Sequence, residues 1–341
     1  MNDEIPNGRA WAKTLIAYRN PNLPRTILEL VVTAAPFAVL WLAAWALVQF
    51  HQWWGLVLTV PAAFFLVRMF MIQHDCGHGS LFKSRAANDW VGRVVGVLTW
   101  TPYDYWRNTH AVHHGTSGNL DRRELGAIEL LTVEEYRAMP AFRRFLYRLY
   151  RHPVVLFGVG PAYMFILQHR VPVGDMKTWR GWISVMATNL AIAAGCAGFI
   201  WFGGVGAFVL VHLPVIVFAA TIGVWLFYVQ HQFEETHWSR DGKWDLHDAA
   251  LQGSSFYDLP APLRWLTAHI GVHHIHQLNS RIPFYRLPQI LKDHPQLRAM
   301  RRLTFFESFR CVKLALWDEH AERLISFKDL RRGRATPALA A

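Results

Sequence analysis

The chain has 341 residues, of which 52% are hydrophobic and only 17% charged, with 16 Trp and a formal net charge of +11. Trp gathers at membrane–water interfaces, and Lys and Arg gather in cytoplasmic loops facing anionic lipid. This balance therefore points to a membrane protein and away from a nucleic-acid binder, for which no compact basic domain is visible. Cys76, Cys196 and Cys311 are too few and too widely spaced to imply a disulfide framework.

The amino-terminal stretch from Met1 to Lys13 lacks the apolar core of a signal peptide, so the first apolar segment is expected to stay as an anchor. That segment, 30–50, is free of charge and long enough to cross roughly 30 Å of hydrocarbon at about 1.5 Å per residue. A second span follows at 53–72, broken only by Arg68 near its far end. A long polar stretch comes next, with weaker apolar pieces at 91–100 and 153–167. The latter is short and contains Pro161, and is expected to lie on the membrane or dip into it. A third span covers 182–202 and a fourth 205–229; the rest, from 230 to 341, is polar and basic. Only Gly203 and Gly204 part the last two spans, and a few residues near His51 part the first two. The expected architecture is thus all-α: four transmembrane helices in two tight hairpins, forming one domain over 1–341. Residues 73–181 and 230–341 make a helical cap.

Charge sets the expected orientation. Of the 35 Lys and Arg, four lie in residues 1–25, 14 in 73–181 and 16 in 230–341, and the hairpin tips carry none. By the positive-inside rule both termini and the cap face the cytoplasm, as in a bacterial inner-membrane protein.

The chain's 18 histidines are clustered. His74-Asp75-Cys76-Gly77-His78 follows the second span directly. His110-Ala111-Val112-His113-His114 sits in the central stretch. His273-His274-Ile275-His276-Gln277 follows the fourth span, with His269 four residues ahead. Residues three and four apart share a helix face, so His74 can pair with His78, His110 with His113 and His114, and His273 with His276. Neutral imidazole suits iron, copper, zinc and nickel. A zinc-protease His-Glu-x-x-His is absent, and eight or more histidines exceed what one zinc needs, so two metals share them naturally. His231, where the fourth span leaves the membrane, is a further candidate ligand. His212, near the outer end of that span, reads as a polar contact, and His237, His247 and His294 as surface residues. Cys76 reads as a packed small residue.

These motifs resemble the membrane fatty acid desaturases. The resemblance is carried by His-Asp-Cys-Gly-His at 74–78, by Trp106-Arg107-Asn108-Thr109-His110 through His114, and by His273 through Leu287. It is supported by Ser117 through Arg123 and by Gln230-His231-Gln232-Phe233-Glu234. It covers about residues 30 to 315 and is nearest the delta-12, or omega-6, acyl-lipid branch of bacteria and plastids. The resemblance implies a di-iron centre held by His74, His78, His110, His113, His114, His231, His273 and His276. It also implies dioxygen as co-substrate and a cis double bond placed in a fatty acyl chain of a membrane lipid. The family usually ends its third box with two adjacent histidines, whereas this chain has Gln277. Gln277 through its carbonyl oxygen, His269 or His274 are the alternatives for the missing ligand, and an impaired site is a fourth reading.

No cytochrome domain, flavin fingerprint or iron–sulfur cysteine set is visible, so the electrons are expected from a separate donor such as ferredoxin. The main alternative is a hydroxylase or ketolase with the same histidine architecture, acting on a lipid, alkane or carotenoid. A non-enzymatic metal carrier is a second class, but its clusters should line a path through the bilayer instead of gathering on one side.

Overall fold

Asn22 starts the first long helix. Its side chain accepts a hydrogen bond from Arg25 N, and a proline in the first turn fits where no backbone donor is needed. The computed structural model describes residues 7–123, 127–172 and 178–333. After a short helix α1 (Gly8–Thr14), α2 (Leu23–Gln49) is followed by a 3-10 turn at Trp53–Leu58 and by α3 (Thr59–His78). The helix begins seven residues before the expected span, and α3 continues past the expected end at 72 to carry His74 and His78.

The central region contains α4 (Arg85–Leu98), α5 (Tyr103–Thr116), α6 (Val133–Ala138), α7 (Ala141–Tyr150) and α8 (Gly160–Ile166). A π-helical turn at Val155–Val159 runs straight into α8, so residues 153–166 of the apolar piece form one continuous helix with a π turn inside it. Next come α9 (Trp179–Ala207), a π turn at Phe208–His212 and α10 (Leu213–His231). Short helices follow: α11 (Leu246–Gln252), α12 (Ala261–Leu266), α13 (His273–Leu278), α14 (Leu287–Asp293), α15 (Phe305–Cys311) and α16 (Phe327–Arg331).

By length and composition, three helical runs among the described residues can cross a membrane: 23–49, 53–78 and 179–231. The third is not straight. Gly204 has φ 78° and ψ 160°, a backbone conformation essentially reserved for glycine. Beyond it the chain turns back: the rings of Phe199 and His212 lie 5.8 Å apart, whereas a straight helix would separate those positions by about 20 Å. The Gln49 amide donates to the Gly203 carbonyl, joining this reversal to the end of α2.

Arg68, the one base inside an expected span, is fully matched. It forms an ion pair with Glu29 of α2 and donates to Thr33 Oγ1 at 3.1 Å and to the Trp265 carbonyl. Its guanidinium also lies 4.2 Å from the Trp265 ring centre. A charge at membrane depth needs partners of this kind.

One expectation needs correcting, since the chain is not wholly helical. Strands β1 (Leu131–Thr132), β4 (Leu314–Asp318) and β5 (Arg323–Ser326) form one sheet in the order β1-β4-β5; β2 (Phe256–Asp258) and β3 (Arg302–Thr304) form a parallel pair. These strands are too short to show an alternating pattern, and β4 is buried at every position.

Candidate metal centre

Four helices deliver the histidines. The carboxyl ends of α3 and α10 bring His74, His78 and His231; α5 and α13 lie across them with the remainder. The side chains converge in two groups, one of His74, His78, His110, His114 and His276, the other of His113, His231 and His273. Within each group the nearest ligand atoms all lie within 4.8 Å of one another. In the first, Nε2 of His110 is 3.1 Å from that of His78 and 3.2 Å from that of His114, which is 3.3 Å from that of His276. In the second, His231 Nε2 lies 3.2 Å from His113 Nε2 and 3.0 Å from His273 Nε2. The groups adjoin: the His273 and His276 rings are 5.4 Å apart and those of His110 and His113 5.8 Å apart.

Helix geometry explains the division. Neighbours on an α-helix are rotated by about 100°, so His113 and His114 must face different ways. His114 joins His110, one turn earlier, while His113 turns to His231. The expected pairing of His110 with His113 in one site, and of His273 with His276, is therefore replaced by a split of each pair between the two groups.

Surrounding groups orient the rings. His231 Nδ1 lies 3.4 Å from the Gly253 carbonyl and His74 Nδ1 3.4 Å from Asp75 Oδ1, which leaves each Nε2 facing its group. Asp75 Oδ2 accepts from Phe284 N at 2.7 Å, tying α3 to the loop beyond α13. The Trp106 ring stacks on His110, with centroids 4.5 Å apart and 17° between planes. Gly77 makes room for it, since a Cβ there would come within 2.9 Å of the indole. Burial, reinforced by neighbouring imidazoles, pushes His110, His114, His273 and His276 well below the ordinary histidine range. They are neutral at pH 7, the form that binds a metal. The donor set, neutral imidazoles in two adjoining groups, fits a pair of iron ions.

Three candidates fall outside the groups. His274 turns away: its Nε2 lies 3.0 Å from the Leu297 carbonyl, and its ring packs near Phe256. His269 is not on a helix with His273, because α13 begins only at His273 and both Ala268 and His269 have positive φ. Its ring instead lines a cavity with Arg264, Lys292 and Arg298. Gln277 is buried on α13, and neither of its side-chain polar atoms has a hydrogen-bond partner. Cys76 is packed in the apolar core, and His212 sits among the rings of Trp41, Trp100, Phe199 and Phe208.

Sequence reasoning alone gave Trp106, Gly77 and Asp75 no role beyond motif membership. The signal available was a glycine inside a helix directly before the ligand His78, which marks a close approach, while the approaching Trp106 lies on a different helix and has no local signature.

Fold and site define a helical membrane protein whose clustered histidines suit a metal site. The fatty acid desaturase family model matches residues 51–309, and the chain belongs to that family. It is similar to a fatty acid desaturase of Bacillus subtilis (strain 168), 39% identical over 94% of this chain and 90% of the relative. A more distant similarity is to the sn-1 oleoyl-lipid 12-desaturase of Synechocystis sp. (strain ATCC 27184 / PCC 6803 / Kazusa), 27% identical over 82% of this chain and 74% of the relative. The sn-1 acyl-lipid omega-3 desaturase (ferredoxin) of the same organism is 29% identical over 64% of this chain and 61% of the relative. The protein is a desaturase, an oxidoreductase of lipid metabolism.

Proposed function

We propose that this chain places a cis double bond in a fatty acyl chain of a membrane lipid, using dioxygen at a di-iron centre. The observation that carries the reading is the convergence of eight histidines from four helices into two adjoining groups. One iron would be held by His74, His78, His110, His114 and His276, the other by His113, His231 and His273. Gln277 lies four residues after His273, on the same helix face, so its unpartnered amide oxygen is the candidate to complete the three-histidine group.

Iron held there would activate dioxygen, the strong oxidant needed to remove hydrogen from an unactivated methylene. Two electrons come from the substrate and two from an external donor as dioxygen is reduced to two waters. Ferredoxin is the proposed donor, by analogy with the relative whose name includes it. The chain's own residues hold and orient. Gly253 and Asp75 fix the His231 and His74 rings, Trp106 packs flat on His110, and burial encloses the three-histidine group fully.

We further place four membrane crossings in two hairpins, with the reversal at Gly204 dividing the third helical run. Both termini and the metal centre then lie on the cytoplasmic side, as the distribution of Lys and Arg favours. The reading is tested by expressing the chain in a host lacking polyunsaturated lipids and reading fatty-acid methyl esters by mass spectrometry. New cis-unsaturated esters are expected. Hydroxylated esters in their place would move the assignment to a hydroxylase.

A further inference from the structure

The cavity beside His269 belongs to none of the chemistry above. It has a volume of about 460 Å³ and is lined by Arg264, His269, Lys292 and Arg298 together with apolar side chains such as Val272 and Leu291. No acidic residue is among its lining residues. Asp258, the nearby acid that pairs with Arg264 at 3.6 Å, is itself shared with Arg302. His269 Nδ1 is buried without a hydrogen-bond partner. Burial and the charges of Arg68, Arg264 and Arg25 push this histidine down to about 4, so at neutral pH it is an uncharged ring that can donate a hydrogen bond.

Two anchors set the level of this cavity. Arg264 lies on α12, whose Trp265 ring packs 6.0 Å from Phe65 of α3 and under the Arg68 guanidinium. The opposite wall is α14, reached from Tyr285, whose hydroxyl accepts from Asn22 N at 2.8 Å, where α2 begins. From that point α2 exposes Leu23, Ile27 and Leu28, the start of its lipid-facing surface. A basic cavity with apolar walls thus opens beside the first two spans, at the end where the proposed topology puts the lipid headgroups. Clustered cations at that level recognise phosphate. One lining residue, Val272, is the neighbour in sequence of His273, the first residue of α13.

We propose that this cavity binds the phosphate of an anionic glycerophospholipid, and so selects and positions the lipid whose acyl chain the centre acts on. The positioning role rests on the desaturase reading; the binding does not.

The test counts lipid retained by the full-length protein. The protein is exposed in detergent micelles to phosphatidylglycerol or to a phosphate-free diglucosyl diacylglycerol, gel-filtered and analysed by mass spectrometry. Wild type should retain phosphatidylglycerol about tenfold better than the glycolipid, and the double variant Lys292→Glu/Arg298→Glu should lose that preference. Both residues are exposed, and the milder Arg298→Gln should give a partial loss even if the double variant folds poorly. Equal retention of the two lipids by wild type, or undiminished selection by the variants, would overturn the site. Broadening of the phosphorus resonance of inorganic phosphate without lipid selection would assign the cavity to free phosphate and overturn the lipid reading. Selective retention with no unsaturated product in the expression host would leave this site standing and remove the proposed activity on a membrane lipid instead.

Discussion

Trp106 lies flat on His110, with ring centroids 4.5 Å apart, and it can do so because position 77 has no side chain. The same indole is 5.8 Å from the His74 ring, so one side chain braces histidines from two helices. A methyl group at position 77 would come within 2.9 Å of Trp106 Cζ3, closer than real Cβ contacts run. Gly77→Ala should therefore shift the indole and loosen His110. The expected loss is about tenfold or more in metal retention or product yield, the usual scale for disturbing groups that orient ligands. Iron per chain and methyl-ester yield, measured together, check this. Wild-type values for both would show that the stack does not position His110.

Two groups of ligands imply two metals with separable fates. Protein purified anaerobically in mild detergent should carry about two irons per chain. His114→Ala should weaken the five-histidine group and His113→Ala the three-histidine group, although the residues are adjacent. Each should abolish product while the protein still inserts, because insertion depends on the apolar spans. Metal analysis giving one zinc and no iron would sink the di-iron reading. Full activity in either variant would remove that histidine from the centre.

Spacing marked seven of these histidines, because residues three or four apart on a helix lie on neighbouring parts of its surface, and His231 was marked by its place at the end of the fourth span. Neither signal showed which histidines share a metal. That depends on how α5 and α13 are rotated against α3 and α10, a tertiary property with no local signature. His269 illustrates the same limit. Counting four residues back from His273 puts it on the helix face, but the left-handed turn at Ala268 and His269 sends its ring elsewhere. The apolar runs were legible because bilayer thickness dictates their length. The strands were not, since β1 has two residues and β4 no exposed face.

The hairpin reading makes a topological prediction. Single cysteines at Gln52 or Gly206, in an otherwise cysteine-free chain, should react with an impermeant thiol reagent added outside the cell. Both positions are exposed, and a Cβ at Gly206 meets nothing within 4 Å. Gly204 is unsuitable, because its φ of 78° would strain any side chain there. Lys83→Cys, exposed on the histidine side of α3, should react only after the membrane is opened. Labelling of Lys83→Cys from outside would invert the orientation.

Gln277 decides how the centre is completed. A buried amide with neither polar atom bonded is costly, on the order of 1–3 kcal/mol for each unsatisfied group, unless something else satisfies it. A metal beside His273 would do so, since the amide oxygen is a competent if harder ligand than imidazole. Gln277→Ala should then lose iron from the three-histidine group and lower product yield, while Gln277→His should keep or raise both. His269→Ala should leave iron content unchanged, because that ring faces the basic cavity and not the histidines. The three variants are compared side by side for iron and for methyl esters. Unchanged iron and yield in Gln277→Ala, with loss of iron in His269→Ala, would transfer the ligand role to His269 and require the turn at 268–269 to rearrange when metal binds.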